Sequence, residues 1–117
     1  MFLWINSTFA DHVDVALTAT TKTAPPWTSI PGRDVLAAVM QMLKSKKKTL
    51  TDLTGVAVVP GPGPFSRVRA GVVVANTLAF SLGIGLYRIQ KKRIARARVP
   101  LLPRYGAPPH ITKPKKA

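Results

Sequence analysis

The chain has 117 residues, 46% of them apolar, which suits one domain with a real core and excludes wholesale disorder. It carries 18 Lys and Arg against 4 Asp and no Glu, a net charge of +14. The absence of Cys removes disulfides, thiolate metal sites and cysteine nucleophiles. Two His and four scattered Asp leave no natural metal cluster and no paired carboxylates for acid–base work, so the composition points away from self-contained catalysis.

Residues 2–7 are a short apolar run and residues 13–20 a β-branched one; the five residues between them suit an antiparallel hairpin. Pro25, Pro26 and Pro31 limit residues 28–30 to a weak edge strand. Residues 33–44 read as a helix, with Asp34 in the first turn and Lys44, Lys46, Lys47 and Lys48 at the end, both signs matching the helix dipole. Its apolar residues form two neighbouring stripes, Val35, Val39 and Met42 beside Leu36, Met40 and Leu43, wide enough for two packing partners.

Residues 55–60 form a continuous apolar run, as expected for a strand covered on both faces. A Gly/Pro turn follows, and Pro64 is placed to start a second helix over Phe65–Leu82. That helix is apolar nearly all round, which requires burial against its own sheet and against something else. Gly83 suits its C-cap, and residues 85–89 suit a last short strand. The order β-β-β-α-β-α-β predicts an α/β lobe over residues 1–89, a mixed sheet with its first, fourth and fifth strands parallel.

The remaining residues, 90–117, are predicted to be a basic tail that starts helical and becomes extended in its five-proline end. Residues 88–117 hold ten of the bases and no acid, so residues 1–87 carry only +4. Such a tail suits phosphate neutralisation on RNA through Lys91, Lys92, Arg93, Arg96 and Arg98. Tyr105 is its only aromatic residue, so the tail offers almost no base stacking. The N-terminus lacks the basic start and the apolar length of a signal peptide. Residues 70–87 are uncharged and precede a basic block, the order of a membrane span; Asn76, Thr77, Ser81 and three glycines argue against one.

The turn after the fourth strand has the layout of an anion-binding loop, with Asn6, Ser7 and Thr8 at the end of the first strand and Gly61, Gly63 and Ser66 in the loop. It is a poor phosphate cradle, because Pro60, Pro62 and Pro64 remove alternate N–H donors and no Walker lysine follows. The tight turn with a Pro-started helix is an equal reading.

The run LTDLTGVAVVPGPGPFSRVRAGVVVANTLAFSLGIG, residues 50–85, resembles the TsaB family, bacterial proteins of threonylcarbamoyladenosine synthesis on transfer RNA. The family pattern of Leu-x-Asp, an apolar strand and Gly-Pro-Gly-Ser-Phe-Thr-Gly-x-Arg-x-Gly is met at Leu50, Asp52, Leu53, Gly61, Pro62, Gly63, Phe65, Arg69 and Gly71. Ser66 stands for the Thr, Pro64 for Ser and Arg67 for Gly; residues 5–8 resemble the family's first strand, with Asn6 in place of Asp. The resemblance implies one lobe of the actin/hexokinase-like ATPase type, related to ribonuclease H, and a non-catalytic subunit located in the cytoplasm. It implies a helical interface with a TsaD-type catalytic partner or a second copy, built from Leu36, Val39, Met40, Leu43, Phe65, Val68, Arg69, Val72, Ala75, Asn76 and Ala79. No cofactor is required by it, ATP being the one ligand the fold admits, and Asn6 weakens even that. The family's second lobe has no counterpart, as in a fragment, a single-lobe form or a frameshifted product, and residues 90–117 do not match. The rival readings are a small RNA- or ribosome-associated protein and a single-pass membrane protein.

Overall fold

A computed structural model describes residues 1–22, 24–32, 34–63, 65–90, 93–97 and 101. The strands are β1 (Phe2–Asn6), β2 (His12–Thr18), β3 (Thr28–Pro31), β4 (Gly55–Val58), β5 (Gly85–Gln90) and β6 (Arg93–Ala97). The helices are α1 (Val35–Ser45), between β3 and β4, and α2 (Phe65–Leu82), between β4 and β5. One sheet runs in the order β3-β2-β1-β4-β5-β6. β1, β4 and β5 are parallel, as predicted, and the remaining neighbours are antiparallel.

The alternation of side chains along each strand divides the apolar residues between two faces. Leu3, Ile5, Val13, Val15, Val56, Val58 and Leu86 pack beneath the inner stripes of both helices. Phe2, Trp4, Ala16 and Ala57 lie on the opposite face with Tyr87, Ile89 and Ile94. Gly55 is required where the Phe2 ring crosses β4, since a Cβ there would collide with the ring edge. β4 is buried at all four positions, which explains its unbroken apolar run.

The expectation of a helix after Gln90 is wrong. Arg93–Ala97 pairs antiparallel with β5, from Gln90↔Arg93 to Leu86↔Ala97, and extends the sheet by a sixth strand. Ala, Arg and Lys favour a helix locally, but the free edge of β5 offers a ladder that places Ile94 opposite Ile89. The membrane reading also fails. Residues 70–87 divide between α2, the Gly83 turn and β5, and among the described residues no helix is long and apolar enough to cross a membrane.

Helix ends follow the local chemistry. Asp34 is the N-cap of α1, its carboxylate accepting from Ala37 N at 3.0 Å, one position before the expected first turn. Gly83, with φ of 64°, ends α2, and Ile84 N donates to Ala79 O at 3.1 Å. At the end of α1 the left-handed position is held by Lys47, with φ of 57°, while Lys48 N reaches back to Leu43 O at 2.9 Å. A side chain is strained there. Lys47→Gly is therefore expected to stabilise the chain by about 0.5–1 kcal/mol, read as a higher denaturation midpoint at unchanged slope.

Asp52 closes the lead-in to β4. Its carboxylate accepts from Thr49 N at 2.7 Å, and this bond holds its pKa below the ordinary 3.8. A carboxyl depressed in the folded state contributes stability above its unfolded pKa and loses it as pH falls through the folded value. Wild-type and Asp52→Asn chains should thus differ in melting temperature at neutral pH, and the difference should shrink below pH 3.8.

Candidate functional site

The ends of β1 and β4 lie side by side, Val59 N donating to Ile5 O at 3.0 Å, so the turn after β1 and the glycine loop after β4 meet. Their polar groups bond to one another. Asn6 Oδ1 accepts from Thr8 N at 3.1 Å and from Thr8 Oγ1 at 2.7 Å, closing the turn on itself. Ser7 is fully buried, and its hydroxyl donates to Arg67 O at 2.7 Å in the first turns of α2. Gly61 takes φ of 120°, a conformation open to glycine, and the Gly61–Pro62 bond is cis. At Gly63 a Cβ would press on Val68 and Thr8.

Arg67, which stands where the resembled family has Gly, is a buried side chain whose Nε donates to Phe9 O at 2.9 Å. It ties α2 to the β1–β2 turn. The loop is a structural seam: the Ser7 and Thr8 hydroxyls donate within it, the Asn6 carboxamide oxygen accepts within it, and Gly63 is packed against Val68 and Thr8. Ser66 is exposed at the start of α2. Pro64 and the Phe65 side chain lie outside the described residues.

Gly71 is the other half of the seam. A Cβ at this position would collide with Ser7 Oγ, so the glycine lets α2 lie against the end of β1. The motif Gly-Pro-Gly followed by Arg-x-Gly thus encodes the approach of a helix to a strand.

The helices divide their apolar residues in a way the sequence did not separate. Val39 and Leu43 of α1, and Val68, Val72, Ala75 and Ala79 of α2, are at most 2% exposed and form the intramolecular core. These six lie in the core of the lobe and not on its exposed surface, where an interface was expected to present them. Asn76 is also engaged internally: its side chain donates to Leu101 O at 2.8 Å and accepts from Leu101 N at 2.6 Å. The exposed apolar residues are Leu36 at 48% and Met40 at 45% on α1, with Val73 at 51% and Phe80 at 80% on α2. Leu36 and Val73 face one groove between the helices, which Asp34, Ser66 and exposed Arg69 also line. Met40 lies about one turn beyond Leu36, and Phe80 about two turns beyond Val73. Of the residues expected at an interface, Leu36, Met40 and Arg69 are at the surface; Val73 and Phe80, also exposed, were not among those expected.

The basic residues expected to meet RNA divide as well. Arg93 and Arg96 are exposed on β6, and Arg96 Cζ lies 5.4 Å from the centroid of the Tyr87 ring. Lys91, Lys92 and Arg98 lie outside the described residues.

A mixed sheet with two helices on one face, entered by a β-hairpin, is a lobe of the actin-like ATPase type. YeaZ from Pseudomonas aeruginosa has this fold with a TM-score of 0.62 at 24% identity, over 76% of this chain and 43% of that one. Residues 33–99 match the family described as TsaD: tRNA N6-adenosine threonylcarbamoyltransferase, more than half of the chain, and the chain belongs to this TsaD/TsaB family. A tRNA N6-adenosine threonylcarbamoyltransferase of Shouchella clausii (strain KSM-K16) is 36% identical over 76 residues, 58% of this chain and 23% of the relative. The tRNA threonylcarbamoyladenosine biosynthesis protein TsaB of Buchnera aphidicola subsp. Schizaphis graminum (strain Sg) is 36% identical over 55 residues, 47% of this chain and 26% of the relative. The chain thus spans about a quarter of the length of these curated relatives.

Proposed function

We propose that the chain acts as a non-catalytic, TsaB-like subunit in the synthesis of N6-threonylcarbamoyladenosine at position 37 of transfer RNA. Its role is to dock a TsaD-type catalytic subunit, or a second copy of itself, on the outer face of α1 and α2, in the cytoplasm. The observation that carries the reading is the exposed stripe of Leu36, Met40, Val73 and Phe80. Isolated surface apolar residues are ordinary; four on two adjacent helices, with Leu36 and Val73 lining one groove between them, form a patch that gains from being covered. Phe80 is the natural anchor, since aromatic residues dominate interface energies. Membership of this family supports a TsaD-type partner. The non-catalytic role is supported by Asn6, a carboxamide whose oxygen closes the turn with Thr8.

The test is reconstitution. Threonylcarbamoyl transfer to transfer RNA by a TsaD-type subunit is measured alone, with this chain, and with its Phe80→Glu variant. The proposal expects stimulation by the chain, loss of at least about tenfold of the apparent affinity for the partner in the variant, and no transfer by the chain alone. Transfer by the chain alone, or stimulation untouched by Phe80→Glu, would overturn it.

A further inference from the structure

The sheet face opposite the helices carries a groove of about 530 Å³, within the size range of ligand sites. Trp4 and Trp27, with Pro25, Ile89 and Ile94, give it aromatic and apolar lining. Lys22 and Arg93 line it too, and among the described residues no carboxylate does. The arrangement is a product of folding. Trp27 comes from the segment before β3, Trp4 from β1, and Arg93 and Ile94 from β6, so no stretch of sequence shows them together.

We infer that this groove binds an unpaired segment of RNA, a base stacking on Trp27 and the adjoining phosphates meeting Lys22, Arg93 and Arg96. Trp27 is 38% exposed, so part of the ring is open to a planar partner. Trp4 is nearly buried and its indole N–H already donates to Thr18 Oγ1 at 2.8 Å, so it forms a fixed floor that asks for no further bond. Arg96 stands over Tyr87 one strand away and continues the positive charge along the sheet edge. Asp14 belongs to the same face, opposite Asn6, and its carboxylate is held by Ser29 Oγ at 2.6 Å and by His12 Nε2 at 3.5 Å.

Charge alone would suit any polyanion. The aromatic walls select one that alternates flat apolar rings with phosphates, and single-stranded RNA does so where an acidic peptide does not. A duplex keeps its bases stacked inside and offers only phosphates. This supplies the stacking that the basic C-terminal residues lack. It goes beyond the docking role and does not depend on it, because the groove and the exposed helix stripe occupy opposite faces of the sheet.

The experiment is anisotropy of a labelled short oligoadenylate titrated with the full chain. Trp27→Ala is expected to weaken binding about tenfold, and Trp27→Phe to restore most of it, as stacking requires. Arg93→Gln with Arg96→Gln should lower the salt slope by about 1.4, two single-strand phosphate contacts. Neutralising Lys113, Lys115 and Lys116 should lower affinity while leaving the Trp27 effect in place. Circular dichroism melting confirms that each variant folds. Unchanged affinity in Trp27→Ala, equal binding of duplex RNA, or competition by AMP as strong as by the oligomer would overturn the inference. None of these outcomes bears on stimulation of a TsaD-type subunit, so the two readings fail separately.

Discussion

Gly71→Ala is expected to destabilise the chain by about 2–3 kcal/mol, although alanine is the better helix former by about 1 kcal/mol. The added methyl group would occupy the position of Ser7 Oγ. Either α2 withdraws from β1 or the Ser7 hydroxyl leaves Arg67 O, and both alternatives break a buried hydrogen bond. An unpaired buried carbonyl and hydroxyl each cost about 1–3 kcal/mol, which exceeds the helix gain. The same substitution in a Ser7→Gly background should reverse sign. With the Ser7 side chain removed, the nearest remaining heavy atom is Ile5 Cγ2 at 3.7 Å, an ordinary contact, and only the propensity gain is left. Chemical denaturation of the four chains of this cycle measures the coupling. Equal effects of Gly71→Ala in both backgrounds would contradict a strand–helix seam at this glycine.

Two adjacent residues of α2 provide the second large effect. Val72 is 1% exposed and Val73 is 51% exposed. Val72→Asp puts a carboxylate among Ile5, Val58 and their core neighbours with no described partner cation, an expected loss of about 4 kcal/mol or more. Domains of ordinary stability have about 5–15 kcal/mol in total, so this variant should be largely unfolded or close to it. Val73→Asp places its carboxylate in water and should change stability by no more than about 0.5 kcal/mol. It should nevertheless weaken association through the helix face. Thermal melts separate the two variants, and a similar loss of stability in both would mean that α2 is rotated from the orientation described.

This pair also shows what the sequence could and could not settle. Period-two and helical patterning placed β1, β2, β4, β5 and both helices, because the apolar runs were bounded by Gly, Pro and charged residues. The orientation of α2 was a different matter. Val68, Val72, Ala75 and Ala79 form one helical stripe and Val73 with Phe80 another, and both are apolar, so hydropathy alone does not say which faces the sheet. Small residues at Gly71, Ala75 and Ala79 were the available signal. A helix approaches a sheet on its small side, which leaves the bulky Phe80 outside.

β6 was missed for the opposite reason. Its local composition favours a helix, and the pairing of Ile94 with Ile89 that fixes it as a strand is made only in the assembled sheet. At the glycine loop the sequence indicated a tight turn, and Gly61 makes it with a φ of 120°. It gave no hint that Arg67 would be drawn inward to Phe9 O, since arginine seldom serves as a buried tie.

Docking on the outer face of α1 and α2 is the role proposed for this chain. Sedimentation velocity of the full chain mixed with a TsaD-type subunit, compared with the same mixture containing Val73→Asp, tests it most directly. A complex of defined stoichiometry is expected with the wild-type chain, and its loss with a variant whose melting temperature is unchanged. A chain that sediments as a monomer in the presence of the partner, or a Val73→Asp complex as tight as the wild type, would contradict it.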